Sequence, residues 1–322
     1  MRDGRPALAG TATAVLLLGL GAAAAAFELD PRYTDQEGDM VADIPADPAL
    51  WQDPAELIFA YTPAEDPSVY AEAWAGFLDH LEKVTGKPAR YFTVQSNAAQ
   101  IEAMRAGRLH VAGVATGSVP LAVACAGFRP FAMMAALDGS FGYQMAIITH
   151  VDSGIETVDD LEGRTMAFTS ETSNSGFKAP SALLESEFDL VAGEDFATVF
   201  SGAHDSSVLG VFHRDYDAAA IALGVMDRLI ARDVVDEEAM RIVYRSTSFP
   251  TTAYGVAHDL APDLQDAIQE AFFSYDWEGT PLLAEFGETD PPQETFVPIT
   301  FAEDWALIRQ IDAAMGVSYT CD

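Results

Sequence analysis

The densest group of small hydrogen-bonding side chains in the sequence is Thr172-Ser173-Asn174-Ser175-Gly176. It follows a predicted strand at 165–169 and precedes a predicted helix that begins at Phe177. A helix start offers backbone N–H groups and a partial positive charge, so this segment is suited to hold an anion without a cation. Gly176 lets the chain approach a ligand closely. Ordinary helix capping explains the same residues, although a single cap needs only one of them.

A second candidate is the segment Ser201-Gly202-Ala203-His204-Asp205, again between a predicted strand and a predicted helix. The His204 imidazole can donate to an oxyanion, and its ordinary pKa predicts partial charge near neutral pH. A helix cap at Asp205, with His204 as a plain loop residue, explains the pattern equally. Catalysis by serine, histidine and aspartate is a further interpretation, but the sequence contains no Gly-x-Ser-x-Gly nucleophile motif.

Two weaker candidates lie nearer the N-terminus. Thr116-Gly117-Ser118 is another strand-to-helix junction, whose Thr116 and Ser118 hydroxyls either bind a ligand or simply begin a helix. Tyr70 lies on the first turn of a helix, where it either contacts a ligand or packs in the core. Glu65 or Asp66 can pair with a ligand ammonium, but capping of that helix is the simpler explanation.

The charge balance excludes one class of partner. The 322 residues include 50 acidic and 17 basic side chains, and the net charge is −33. Nucleic acid is excluded as a partner, because binding its phosphates needs a basic face. An anionic ligand must then be held by local dipoles and hydrogen-bond donors. The sequence shows no metal-ligand cluster, P-loop or dinucleotide fingerprint, so neither a metal nor a cofactor is expected.

Residues 1–26 have the pattern of a secretory signal peptide. Arg2 and Arg5 precede an apolar run, which ends in small residues before Phe27. Cleavage is predicted after Ala26, which gives an exported protein. A membrane anchor is the alternative interpretation, but the run is mostly alanine with three glycines, and no comparable run follows.

The remaining chain reads as an α/β protein. Short apolar segments alternate with amphipathic ones from Leu57 onward, and clear amphipathic helices are predicted at 263–274 and 302–315. This alternation predicts mainly parallel sheets, with ligands bound at the carboxyl ends of the strands. Residues 27–49, rich in Asp and Pro, are predicted to form an acidic linker or an arm on the surface. Cys125 and Cys321 form a disulfide or remain two free thiols.

Several segments together resemble a known family. They include Leu57 to Pro63, Ile101 to Gly107, and Thr172 to Phe177 with Pro180, and they continue with Gly202-Ala203-His204-Asp205. The chain is similar over about 57–315 to the phosphate, phosphite and phosphonate receptors of ABC importers, which are type II periplasmic binding proteins. The resemblance implies two lobes, two crossing segments near 138–143 and 244–250, and a ligand in the cleft between the lobes. It places lobe one at 50–140 and 248–322, and lobe two at 141–247.

The resemblance also implies a set of ligand-binding residues. Ser173, Asn174 and Ser175 match the family's oxyanion-binding stretch, and His204 matches its histidine. Thr116 and Ser118 match the ligand loop of the first lobe, with Tyr70 as an added candidate. Val119 stands where the family usually has a tyrosine, and Asn174 replaces the usual threonine.

The expected function is that of an extracytoplasmic receptor, which binds a phosphorus oxyanion by lobe closure. It is expected to be a monomer that delivers this small anion to a membrane permease, and not an enzyme. A receptor of the same fold for a carboxylate, a sulfur oxyanion or a vitamin precursor is the alternative. An exported phosphoester hydrolase and a sensor with a receptor fold are further alternatives.

Overall fold

The computed structural model of the protein describes residues 27–65 and 67–321, without the side chains of Pro67 and Ser68. The predicted signal peptide and Asp66 therefore lie outside the described residues. Within these ranges the strands form two sheets, each packed against helices. We call the sheet that contains the first strands, with its helices, the first lobe, and the other sheet with its helices the second lobe.

The first sheet has the order β11-β4-β10-β3-β1-β2. Its strands are β1 (Leu57–Tyr61), β2 (Ala89–Tyr91), β3 (Val111–Val114), β4 (Phe128–Ala135), β10 (Ala253–Ala257) and β11 (Thr295–Pro298). Strand β1 is parallel to β2 and β3, whereas β10 is antiparallel to β3 and β4, and β11 is antiparallel to β4.

The second sheet has the order β7-β6-β8-β5-β9. Its strands are β5 (Tyr143–His150), β6 (Thr165–Phe168), β7 (Ala197–Phe200), β8 (Ala218–Ala222) and β9 (Met240–Phe249). Strand β6 is parallel to β7 and β8, but β5 is antiparallel to β8 and β9. The prediction of mainly parallel sheets is therefore wrong. Strands β5, β9 and β10 adjoin the passages between the sheets, and each pairs antiparallel with its neighbours.

Helices surround both sheets. Before β5 and after β9 they are α1 (Pro67–Ala73), α2 (Ala75–Thr85), α3 (Asn97–Arg105), α4 (Val119–Ala126), α8 (Pro262–Phe273), α9 (Pro281–Phe286), α10 (Phe301–Asp304) and α11 (Ala306–Ala314). Between β5 and β9 they are α5 (Ala179–Phe188), α6 (His204–Phe212) and α7 (Leu223–Ala231). The last predicted helix, at 302–315, is divided at Trp305, which is fully buried.

The chain passes between the two sheets at 136–142 and again at 250–252. The second passage begins later than the predicted 244–250, because residues up to Phe249 stay paired with β5. The two-lobed α/β architecture with two crossing segments is confirmed.

The N-terminal segment 27–53 lies along the first lobe. The Asp30 N–H donates to the Ala124 carbonyl at 2.9 Å, and the Gln52 N–H donates to the Asp259 carbonyl at 2.7 Å. The Arg129 guanidinium donates to the Ala42 carbonyl. These bonds favour the surface arm over a free linker.

Cys125 and Cys321 form a disulfide, which settles the alternative that the sequence left open. The bond joins helix α4 to the last described residue, across 196 positions of sequence. It therefore fixes the C-terminal end of the chain on the first lobe. In the described ranges no helix is long and apolar enough to cross a membrane.

Candidate functional site

A cavity of about 110 Å³ lies between the lobes. Thr116 and Gly117 line it from the first lobe, and Ser173, Asn174, Ser175 and His204 line it from the second. Ordinary ligand pockets enclose several hundred Å³. The size of this cavity therefore suits a small ion better than an extended ligand.

The segment Ser173–Gly176 forms the second-lobe wall, and we call it the anion loop. The Ser173 hydroxyl accepts from the Gly176 N–H at 3.0 Å and so caps the helical turn Asn174–Lys178, which continues into α5. All four residues are buried. A Cβ at Gly176 would overlap the Thr169 side chain, so only glycine fits at this turn. The loop directs a helix start into the cavity, where its dipole favours an anion.

His204 begins helix α6 beside this loop. Its Nδ1 accepts from the Ala222 N–H at 3.0 Å, which places the ring proton on Nε2. Nε2 lies 3.5 Å from the Ser173 hydroxyl. Burial lowers the pKa of His204 to about 4, so the ring is neutral at pH 7. The prediction that His204 is partly charged near neutral pH is therefore wrong, and the side chain is an uncharged donor.

Thr116 lines the cavity, but its hydroxyl is already engaged. It lies 2.9 Å from the Pro250 carbonyl and 3.1 Å from the Thr251 carbonyl, both in the second crossing segment. Ser118 is fully buried and does not line the cavity. Among the described residues its hydroxyl has no hydrogen-bond partner.

Tyr70 also does not line the cavity. It is fully buried, and its hydroxyl donates to the Glu65 carboxylate at 2.9 Å. Its ring stacks on Phe286 at 6.1 Å. The geometry makes Tyr70 a support for Glu65, and a contact with ligand stays a prediction for both Tyr70 and Ser118.

The sequence comparisons identify the family. A model of the phosphonate-binding, periplasmic substrate-binding proteins of ABC transporters matches residues 59–305, more than three quarters of the chain. The chain belongs to this family. The resemblance noted in the sequence is thereby confirmed.

Individual relatives support the same assignment. The phosphate-import protein PhnD of Mycolicibacterium smegmatis is 26% identical over 291 residues, covering 84% of this chain and 86% of the relative. A solved binding component of a phosphonate transporter from Pseudomonas aeruginosa is 21% identical, with a TM-score of 0.72 and coverage of 81% and 86%. PhnD1 from Prochlorococcus marinus, solved with methylphosphonate, has a TM-score of 0.72 at 16% identity and coverage of 82% and 99%. These structures share the fold of this periplasmic binding protein.

Sequence reasoning missed Tyr143, which lies at the start of β5 and lines the cavity of this periplasmic binding protein. The Asn174 side-chain amide donates to the Tyr143 hydroxyl at 3.1 Å, which leaves the hydroxyl proton for another acceptor. Burial raises the pKa of Tyr143, so the hydroxyl stays protonated. Tyr143 thus supplies a phenol donor that Val119 cannot offer. The one available signal was that Tyr143 ends the crossing segment predicted near 138–143.

Arg228 was missed as well. It lines the cavity from α7, but its Nε donates to the Glu65 carboxylate of the first lobe at 2.9 Å. Arg232 donates to the same carboxylate at 3.2 Å and to Glu285 at 2.6 Å. Glu65 is therefore occupied by two arginines, which argues against the ligand-ammonium role considered for it. These ion pairs connect the lobes at one side of the cavity.

The described residues contain no group of three or more His, Cys, Asp or Glu side chains that could hold a metal ion. The cavity instead presents neutral donors, namely the anion loop, the His204 ring and the Tyr143 hydroxyl. These groups are suited to bind a small oxyanion.

The buried His204 predicts a specific loss of stability in acid. Its folded-state pKa of about 4 lies below the unfolded value of 6.5, so the unfolded chain binds more protons between these values. The contribution of His204 is therefore complete above pH 6.5 and is lost as the pH falls towards 4. Between pH 7.5 and 4, wild type should lose about 3 kcal/mol more unfolding free energy than His204→Asn.

Urea unfolding at several pH values measures this difference, and the exposed His213→Asn is the matched control. His213→Asn should follow the wild-type pH profile. Parallel profiles for wild type and His204→Asn would show that His204 is not buried in its neutral form.

Proposed function

We propose that the protein is the ligand receptor of an ABC importer and that its interlobe cavity binds a small phosphorus oxyanion. The observation that carries this proposal is the convergence of the anion loop, His204 and Tyr143 on a cavity of about 110 Å³. The name of the mycobacterial relative refers to phosphate import, and the Prochlorococcus structure contains methylphosphonate. Phosphate, phosphite and a phosphonate with a small substituent are therefore the proposed ligands.

Neutral donors can hold such an anion in a strongly acidic protein. Hydrogen bonds and helix dipoles act over a few ångströms, whereas exposed charges are screened beyond about 8–10 Å at ordinary ionic strength. The proposed contacts are Ser173, Asn174, Ser175, His204 and Tyr143, with Thr116 holding the first-lobe wall. A contact of Tyr70 or Ser118 with the ligand stays a prediction.

A phosphonate that carries an ammonium group is a second candidate. Two carboxylates, Asp227 and Asp290, line the same cavity. Burial raises the pKa of Asp227, and a nearby cation would stabilise its charged form. An aminoalkylphosphonate would place its phosphonate on the anion loop and its ammonium towards these acids.

The family and the sequence support the remaining features of the proposed receptor. We propose cleavage after Ala26, export as a soluble monomer, and delivery of the ligand to a membrane permease without chemical change. The lobe limits proposed are 50–140 with 248–322, and 141–247. The described arm at 27–53 accompanies the first lobe.

A thermal-shift screen tests the ligand class. The panel is phosphate, phosphite, methylphosphonate, 2-aminoethylphosphonate, sulfate and small carboxylates. A ligand that binds only the folded state raises the melting temperature. Stabilisation by phosphorus oxyanions alone would support the proposal, and the largest shift with the amino compound would favour the second candidate. Stabilisation by sulfate or carboxylates alone would refute the ligand assignment.

Ser175→Ala tests the anion loop directly. Removal of one partner of a buried hydrogen bond costs about 1–3 kcal/mol, so we expect roughly 5- to 150-fold weaker binding of the anion found in the screen. Isothermal titration calorimetry measures the loss. The exposed Ser206→Ala, in the same lobe, should bind as wild type does. Equal affinity for Ser175→Ala and wild type would remove this hydroxyl from the site.

A further inference from the structure

The C-terminal residues 301–321, which we call the strap, contact both lobes. The Trp305 indole donates to the Thr116 carbonyl of the first lobe at 3.0 Å. Helix α11 then packs against α5 and the helical turn of the anion loop in the second lobe. The chain finally returns to the first lobe, where Cys321 is bonded to Cys125. The strap is therefore a connection between the lobes in addition to the two crossing segments.

A buried ion pair fastens the strap to the anion loop. The Asp312 carboxylate on α11 lies 2.7 Å from the ammonium of Lys178, the last residue of the helical turn that the anion loop begins. The same ammonium donates to the Gly117 carbonyl of the first lobe at 2.8 Å. Asp312 is 1% exposed and Lys178 is 5% exposed. Opening the lobes separates Lys178 from Gly117 or from Asp312, and a charge left unpaired in the interior is strongly unfavourable.

The tail of the strap holds the Asp312 carboxylate in place. The Tyr319 hydroxyl donates to its second oxygen at 2.6 Å. Tyr319 stands two residues before Cys321, and its ring meets Phe27 of the N-terminal arm at 5.4 Å. Chain ends fray unless they are tied down. The disulfide is the covalent tie that keeps Tyr319 against Asp312.

We propose that the strap is a disulfide-dependent restraint on lobe opening, with Lys178, Asp312 and Tyr319 as its positioning residues. The anion loop, to which the ligand is proposed to bind, is thereby coupled to the redox state of Cys125 and Cys321. The inference concerns the hinge and holds for any anion in the cavity. It predicts that the ligand-free protein with its disulfide intact stays more closed than the protein with its disulfide broken.

The test compares the purified protein before and after reduction, together with the variant Cys125→Ser/Cys321→Ser. Small-angle X-ray scattering of the ligand-free forms should give a larger radius of gyration without the disulfide. With phosphate or methylphosphonate bound, the radii should agree. The dissociation rate of the bound anion, measured by stopped flow, should rise about tenfold, within the range typical of coupling between conformational states.

Tyr319→Phe with the disulfide intact should change both readouts in the same direction. Tyr33→Phe is its matched control, because the Tyr33 hydroxyl donates to the Cys125 carbonyl at 3.3 Å and touches only the first lobe. The reduced protein and Tyr319→Phe could both melt at a lower temperature while the radius of gyration of their ligand-free forms stays unchanged. That result would refute the strap as a restraint on lobe opening. Expansion on reduction without any binding of phosphate or methylphosphonate would support the strap and refute the proposed ligand.

Discussion

Gly117→Ala should abolish tight ligand binding while leaving the fold intact. A Cβ at Gly117 would lie 2.5 Å from the Thr172 carbonyl oxygen and overlap the Asn174 backbone nitrogen. Both obstacles are backbone atoms of the opposite lobe, so no side-chain rotation relieves the clash. The lobes of the variant must stay apart, and the anion loop cannot reach the first-lobe wall. We expect at least about 100-fold weaker binding, equivalent to roughly 2.7 kcal/mol.

Calorimetry with the anion found in the thermal screen measures this loss. Gly224→Ala is the matched control, because its Cβ also faces the other lobe but meets only side-chain atoms at ordinary distances, the Thr289 methyl at 3.4 Å and the end of Arg228 at 3.7 Å. Gly224→Ala should bind within a few-fold of wild type. Tight binding by Gly117→Ala would show that the ligand is held without this approach of the lobes.

Asp312→Ala should cause the largest loss of folding stability. It leaves the Lys178 ammonium in the interior with only the Gly117 carbonyl as a partner. Breaking a buried ion pair from one side costs about 3–5 kcal/mol, a large part of the roughly 5–15 kcal/mol that stabilises a typical domain. Chemical denaturation measures the change in the free energy of unfolding.

Two comparisons make this result specific. Glu56→Ala removes an exposed ion pair with Arg90, whose side chains are 47% and 57% exposed, and should cost less than about 1 kcal/mol. The double variant Lys178→Met/Asp312→Leu removes both charges and should recover much of the loss, because no charge is left unpaired. Equal stability of Asp312→Ala and Glu56→Ala would contradict the buried pair.

Local signals in the sequence predicted many of the elements. The sequence from Asn97 to Arg105, closed by Gly107, predicts a helix with the bounds that α3 has. Ser96 caps its start, and Gly107 follows its end with a positive φ. The short elements β10, α9 and β11 were missed. Strand β10 is buried at every residue and lacks alternation, whereas α9 and β11 have only 6 and 4 residues. Such segments gain their structure from tertiary contacts rather than from a local pattern.

The candidate site was predictable where it depends on strand-to-helix junctions. The anion loop and His204 lie at junctions of this kind, and the structure brings them together. Contacts across the cleft were not predictable, because Glu65 and Arg228 are 163 positions apart and meet only when the lobes do. Lysine and aspartate side chains are ordinarily exposed, so the sequence gives no sign that Lys178 and Asp312 are buried. These pairs are set by lobe geometry and not by any motif.

The neutral state of His204 has a consequence for transport. A receptor outside the cytoplasm meets the changing acidity of its surroundings. Since burial lowers the pKa of His204 to about 4 and raises the pKa of Tyr143, neither side chain changes its charge around pH 7 in the ligand-free cavity. Around pH 7, a change in the affinity for the anion with pH is then set by the protonation of the anion itself. The receptor can therefore meet its ligand in mildly acidic and mildly basic surroundings with the charges of His204 and Tyr143 unchanged.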